Sequence, residues 1–240
     1  MNRSTAGVLK LESEPRHPDA CYGEWARVKA PTRSGPVRRR LATLFVDIAG
    51  STSLLVHYQP EVVLGVVQCF LGLVAEAALV HSGHVKDYEG DGALLYFESP
   101  RHAVQAALVI RAELAQGRCD KACSGGPGMK ARMSLALGEV VLGAVGSSRR
   151  HGIALVGPSV NVGSRLLRQV SPGGIIATGE LVEALRIEAP HLAGEFRLLD
   201  RAFEVPGADG LLVATYVVRP ANDATAEQLR AWQASVSSGG

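Results

Sequence analysis

A chain of 240 residues, 47% of them hydrophobic, is long enough to bury one ordinary core and needs no covalent staple. Its net charge of +2 is too small to argue for a nucleic-acid partner. Its cysteines, Cys21, Cys69, Cys119 and Cys123, form neither a disulfide framework nor paired zinc-like spacing, and read as free thiols of a cytosolic protein.

Residues 1–40 carry nine Lys or Arg against four Asp or Glu and are broken by Pro15, Pro18, Pro31 and Pro36, so they read as a solvated tail or linker. They hold no apolar core of a signal peptide. Leu41 to Ile48 is a short apolar, partly β-branched run, and Gly50-Ser51-Thr52 supplies the turn that opens a helix. Asp47 therefore stands at a strand-to-helix junction. A carboxylate there needs a cation or hydrogen bonds, while the amides of Ala49 to Thr52 at a helix start suit an anion.

Pro60 to His81 is apolar enough to raise the question of a membrane span. Glu61, Gly65, Gln68, Gly72 and Glu76 recur every three or four residues along it, which suits a helix buried on most of its girth. His84 to Glu98 reads as strand, turn, strand, with Gly90-Asp91-Gly92 at the turn and Asp91 at its tip. Pro100 to Gln116 has helical periodicity, and 117–128 is a loop rich in glycine and small residues. Lys130 to Gly146 reads as a second hairpin turning near Gly138-Glu139. Strand, helix, hairpin, helix, hairpin is the order of an α+β, ferredoxin-like sheet with helices on one face.

Two carboxylates brought to one sheet edge repel unless one is protonated or a divalent cation lies between them. Further on, Gly157-Pro158-Ser159 starts a helix on which Asn161 and Arg165 lie one turn apart and point the same way. An amide followed by a rigid guanidinium fork suits a sugar and a phosphate. A short strand at 175–178, a short helix and two strands near 195–199 and 211–218 complete a domain of residues 41–220. Residues 221–240 read as a polar tail.

FVDIAGST, GHVKDYEGDGALLYF, GEVVLGAVG and VGPSVNVGSRL together, in this order, resemble the catalytic domain of class III adenylyl and guanylyl cyclases. The resemblance implies that Asp47, Asp91 and the backbone of Ile48 hold two divalent cations, Mg²⁺ or Mn²⁺. It implies that Ala49, Gly50, Ser51 and Thr52 cradle phosphates, that Asn161 fixes the ribose, and that Arg165 stabilises charge on the α-phosphate. It further implies a cytoplasmic head-to-tail homodimer whose composite sites take metal ligands from one chain and Asn161 with Arg165 from the other, with no nucleic acid or membrane as partner. The substrate implied is ATP, or GTP in guanylyl members.

The base-reading positions depart from the adenylyl pattern. They fall on Asp87 and Ala154, with Lys86 displaced by one residue, which leaves guanylyl, pyrimidine or relaxed nucleotide specificity open. A one-residue shift turns a side chain to the other face, so Lys86 meets the base only across a β-bulge, for which Glu89 and Gly90 leave room. Without a bulge Asp87 faces the base, and a carboxylate only accepts hydrogen bonds, which suits guanine. A non-catalytic nucleotide-binding dimerisation module is the competing class, and loss of Asp47, Asp91 or Arg165 would be its mark.

Overall fold

The computed structural model describes residues 35–119, 128–147, 151–208 and 210–218. Its central strand, β1 (Val37–Ile48), contains the apolar run from Leu41, where every residue except Asp47 is buried. Strands covered on both faces favour such β-branched and aromatic runs. β1 starts before the expected boundary at 41, so Arg38, Arg39 and Arg40 are strand residues and not tail. Arg38 pairs with Glu139 and Arg40 with Glu180 at the surface. Residues 1–34 of the tail expected at 1–40, and the whole tail expected at 221–240, lie outside the described residues.

In chain order there follow α1 (Ser51–His57), α2 (Pro60–Val80), β2 (His84–Glu89), β3 (Gly92–Phe97) and α3 (Pro100–Ala115). Then come β4 (Ala131–Gly146), β5 (His151–Val156), α4 (Pro158–Leu166), β6 (Ile175–Thr178), α5 (Gly179–Glu188) and α6 (Pro190–Ala193). The chain closes with β7 (Phe196–Leu198), β8 (Phe203–Glu204), β9 (Leu212–Val213) and β10 (Thr215–Val218). Ser99 caps α3, its Oγ accepting from the His102 amide at 3.3 Å.

The main sheet runs β2-β3-β1-β4-β6-β10-β7, with β5 paired to β4, and β8 and β9 form a separate ribbon. β3 and β4 flank β1 antiparallel while β2 pairs only with β3, which is the split βαβ order of the ferredoxin-like plan. One expectation fails here. Residues 131–146 form a single strand of 16 residues that does not turn at Gly138-Glu139; the hairpin is made by β4 with β5.

Helices cover one face, as expected, but α4 does not join them. Leu44, Val46, Ile48, Leu95, Phe97, Met133 and Leu135 face Phe70, Leu73, Ile110, Leu181 and Leu185 of α2, α3 and α5. Each fully buried side chain of this kind contributes about 1.5–3 kcal/mol. Alternate residues, Leu41, Phe45, Leu94, Tyr96 and Val140, point the other way, toward α4. This second face carries Asp47.

α2 is long and apolar enough, by length and composition, to cross a membrane, and 39% of its most apolar window is buried here. That is less than burial on most of its girth. Val63, Val66, Phe70, Leu73, Val74, Ala77 and Ala78 form its buried stripe. The polar and small residues lie on the open side, with nothing within 4 Å of a Cβ built at Gly65 or Gly72. Among the described cysteines, Cys69 and Cys119 are free thiols.

Candidate active site

The β1–β3 register sets Asp47 opposite Gly92, directly after the hairpin tip that holds Asp91. A Cβ at Gly92 would lie 2.8 Å from the Val46 carbonyl oxygen and 3.3 Å from the Asp47 Cβ, so only glycine lets the hairpin sit this close. The positive φ of the turn falls on Gly90, at 63°. Both carboxylates thus reach one edge of the sheet. Burial raises the Asp47 carboxyl above its ordinary pKa, the nearby Asp91 charge adds to that rise, and Arg132 only partly offsets them.

Arg132 is the residue that sequence reasoning missed. The β1–β4 register sets it opposite Asp47. Its guanidinium grips the carboxylate as a fork, Nε donating to Oδ1 at 3.1 Å and Nη2 to Oδ2 at 2.7 Å. Its only sequence signal was parity with the site face, read after strand pairing is known.

Opposite stands α4. A Cβ at Gly163 would come within 2.9 Å of the Phe45 ring, and Ser134 Oγ donates to the Gly163 carbonyl at 2.6 Å, so glycine and hydroxyl together seat the helix flush on β1 and β4. Asn161 and Arg165 ride on its outer side, with Arg165 Nε donating to Asn161 Oδ1 at 3.0 Å. The two point the same way, as their spacing predicted. A cleft of about 620 Å³ runs between, lined among others by Asp47, Glu89, Arg132, Asn161, Arg165 and Arg168. Three guanidinium groups against two carboxylates make it a place for an anion. Glu89 and Arg168 carried no motif.

Other expected residues fall differently. Asp91 does not line this cleft, and neither do Lys86, Asp87 or Ala154. A β-bulge is present, but it lies at Lys86 itself, between Val85 and Asp87, and not at Glu89-Gly90. In such a bulge two residues oppose one, here Leu94, so Lys86 and Asp87 turn to the same face. They form an ion pair there, with the lysine side chain 12% exposed and the aspartate 57%. His84 stacks on Tyr96 beside them, ring centroids 5.0 Å apart. Ala154 pairs with Gly143 on the β4–β5 arm. In the phosphate cradle, the Ala49 amide is already spent on the Lys130 carbonyl at 2.8 Å, and α1 begins after Gly50, whose φ is 80°. That leaves Gly50, Ser51 and Thr52 as the first-turn donors.

Among the described residues no group of three or more His, Cys, Asp and Glu side chains is placed to enclose a metal ion. Magnesium does not need one, because it is commonly held by one or two carboxylates together with substrate phosphates. Asp47 and Asp91, hard oxygen donors at one edge, fit that use and not an all-protein cage.

Three solved structures can be laid on this geometry. The adenylyl cyclase CyaB from P. aeruginosa matches with a TM-score of 0.68 and 21% identity, covering 78% of this chain and 97% of that one. A second match is the guanylate cyclase domain of RhGC from Catenaria anguillulae in complex with GTP, with a TM-score of 0.65 and 20% identity over 78% of this chain and 100% of that one. A bacterial light-regulated adenylyl cyclase matches at 0.67 and 21%, over 86% of this chain and 60% of that one. The fold is that of a class III nucleotidyl cyclase catalytic domain. Both adenylyl and guanylyl cyclases share it, so the cyclase fold leaves the base open. No protein-family model matches the chain. The uncharacterized protein Rv1318c of Mycobacterium tuberculosis is 30% identical over 162 residues, 64% of this chain and 28% of its own length. The chain thus spans little more than a quarter of that curated relative.

Proposed function

We propose that this chain is a nucleotide cyclase that converts ATP to 3′,5′-cyclic AMP and pyrophosphate. The observation that carries the reading is the meeting of Asp47 with the Asp91 hairpin on a cyclase fold, across a cationic cleft from the Asn161–Arg165 pair. Two divalent cations, Mg²⁺ or Mn²⁺, held by Asp47, Asp91 and the Ile48 carbonyl, would supply the Lewis acidity that lowers the pKa of the ribose 3′-hydroxyl and neutralises pyrophosphate. In the reaction the 3′-oxygen bonds to the α-phosphorus, the bond from that phosphorus to the β-phosphate oxygen breaks, and the hydroxyl proton leaves to solvent. Asn161 orients the ribose and Arg165 stabilises the charge that builds on the α-phosphate. The amides of Gly50, Ser51 and Thr52 hold the outer phosphates.

The base is read by Lys86 and Asp87 together. Adenine offers an acceptor at N1 and a donor at its amino group, and a lysine beside a carboxylate answers both. One observation favours guanine as a second reading: Asp87 is the exposed member of the pair and presents an acceptor outward.

The working form is a head-to-tail homodimer, with Asp47 and Asp91 facing the partner's copies of the asparagine and arginine. Support comes from Asp91 and the base-reading pair, which, unlike Asp47, stand outside the cleft that holds Arg165 of the same chain. The β4–β5 arm also leaves Val145 and Val156 exposed, a surface suited to a second copy. Cytoplasmic location is part of this proposal.

The test is to incubate the protein with ATP or GTP in Mg²⁺ or Mn²⁺ and quantify each cyclic product. Cyclic AMP as the main product, with the ATP over GTP preference falling about tenfold in Lys86→Gln, is expected. Cyclic GMP alone favours the second reading, and no cyclic product from dimeric protein overturns the enzyme.

A further inference from the structure

The Asp47 carboxylate is already taken. Both of its oxygens accept from one guanidinium, Nε at 3.1 Å and Nη2 at 2.7 Å, and both side chains are largely withdrawn from solvent, with Arg132 33% and Asp47 21% exposed. A fork of this kind on a partly desolvated carboxylate is among the stronger charge-assisted contacts a protein makes. The contact is built into the sheet, since the β1–β4 register sets the two residues face to face. A hard cation needs those same oxygens. Asp91, the other carboxylate at this edge, makes no ion pair among the described residues, so the competition falls on Asp47 alone.

Building on the cyclase reading above, we propose that Arg132 is an internal competitor for the cation at Asp47, so that the ion is taken up well only together with a polyphosphate. The ion displaces at least one arm of the fork. The released guanidinium stays in the cleft beside Asp47, where a polyphosphate chain gives it a new anionic partner. Taken alone, the cation must break the pair without compensation. Taken with polyphosphate, it exchanges one ion pair for another. Arg132 is therefore a positioning residue that couples the two binding events, and the coupling is reciprocal.

The experiment measures Mn²⁺ binding by electron paramagnetic resonance, with Mn²⁺ alone and with inorganic tripolyphosphate after correction for chelation in solution. It uses the full chain and needs no turnover, so its outcome is separate from that of the cyclic-product assay. Asp47→Asn locates the signal, and Arg168→Gln removes a cleft cation that does not pair with Asp47. In Arg132→Gln, Mn²⁺ alone should bind at least about tenfold more tightly, the scale of one lost charge-assisted contact, and tripolyphosphate should no longer enhance it. Arg132→Lys, which keeps the charge but loses the fork, should fall between, and it decides the matter if the glutamine variant does not fold. Unchanged or weaker Mn²⁺ binding in both Arg132 variants would overturn the proposal. So would an equal gain in Arg168→Gln, because the effect would then belong to the general field of the cleft.

Discussion

The two faces of the main sheet are built from alternate residues of the same strands, yet they meet opposite demands. On the helix-covered face, Leu44, Val46, Leu95, Phe97 and Met133 close against α2, α3 and α5. On the open face, Asp47, Arg132 and Phe45 lie between the Asp91 hairpin and α4, and charge is kept at the edge of burial. A carboxylate so placed is costly to ionise, and burial raises its pKa even with a guanidinium in contact. The period of two in a strand is what allows both, since neighbouring residues are separated by the thickness of the sheet. Stability and chemistry can therefore be perturbed one at a time.

The largest effect that separates the faces is expected at Asp47. Asp47→Asn should lower the cyclisation rate at least ~10³-fold, because the site loses its anionic ligand. It should lower unfolding free energy by less than about 2 kcal/mol, since the shape stays and only a partly exposed pair is lost. Steady-state kinetics beside urea unfolding measures the two together. Phe70→Ala, wholly buried on the helix side of the sheet, should do the reverse. It should cost ~3–5 kcal/mol in the same urea experiment and leave the rate of the remaining folded protein within about twofold. A rate loss matching that of Asp47→Asn would break the division between the faces.

pH sharpens it further. His81, buried at the end of α2, has its pKa lowered from 6.5 to about 4, first by burial and then by the charges of His102 and Arg101. The unfolded chain therefore takes up a proton that the folded chain refuses between those values. Stability from this group is full above pH 6.5 and is lost as pH falls toward 4. Unfolding free energies from urea titration at neutral pH and near the lower value should differ by ~2–3 kcal/mol more in the wild type than in His81→Leu.

Much of this division is legible in the sequence. The apolar runs at β1 and β3 and the glycine-flanked Asp91 identify the ferredoxin-like order and the hairpin tip, because period and turn chemistry are local signals. The Asn161–Arg165 pair is legible for the same reason, one helical turn being a fixed distance. What is not legible depends on contacts distant in sequence. Gly138 reads as a turn, yet it lies inside β4, where a Cβ would come within 2.7 Å of the Ser159 Cβ on α4. The glycine is there for close approach, and nothing local distinguishes that from a turn. The Arg132 fork depends on strand register, and the Ala49 amide is claimed by the carbonyl of Lys130, directly before β4. The bulge is foreseen as a need but not at its position, since bulging at Lys86 is decided by how β2 lies on β3.

Mixing two inactive variants decides whether the site is shared between chains. Asp47→Ala and Arg165→Ala are each purified as dimers, unfolded together and refolded, then supplied with ATP and Mn²⁺ while cyclic AMP is followed. A mixed dimer then carries one intact pair of half-sites if the carboxylates of one chain work with the arginine of the other. Neither variant alone should have activity, and the mixture should recover about a quarter of the wild-type rate, from random pairing with one working site per mixed dimer. A mixture as inactive as its components, from protein shown to contain mixed dimers, would contradict it and assign Asp47 and Arg165 to one site within a single chain.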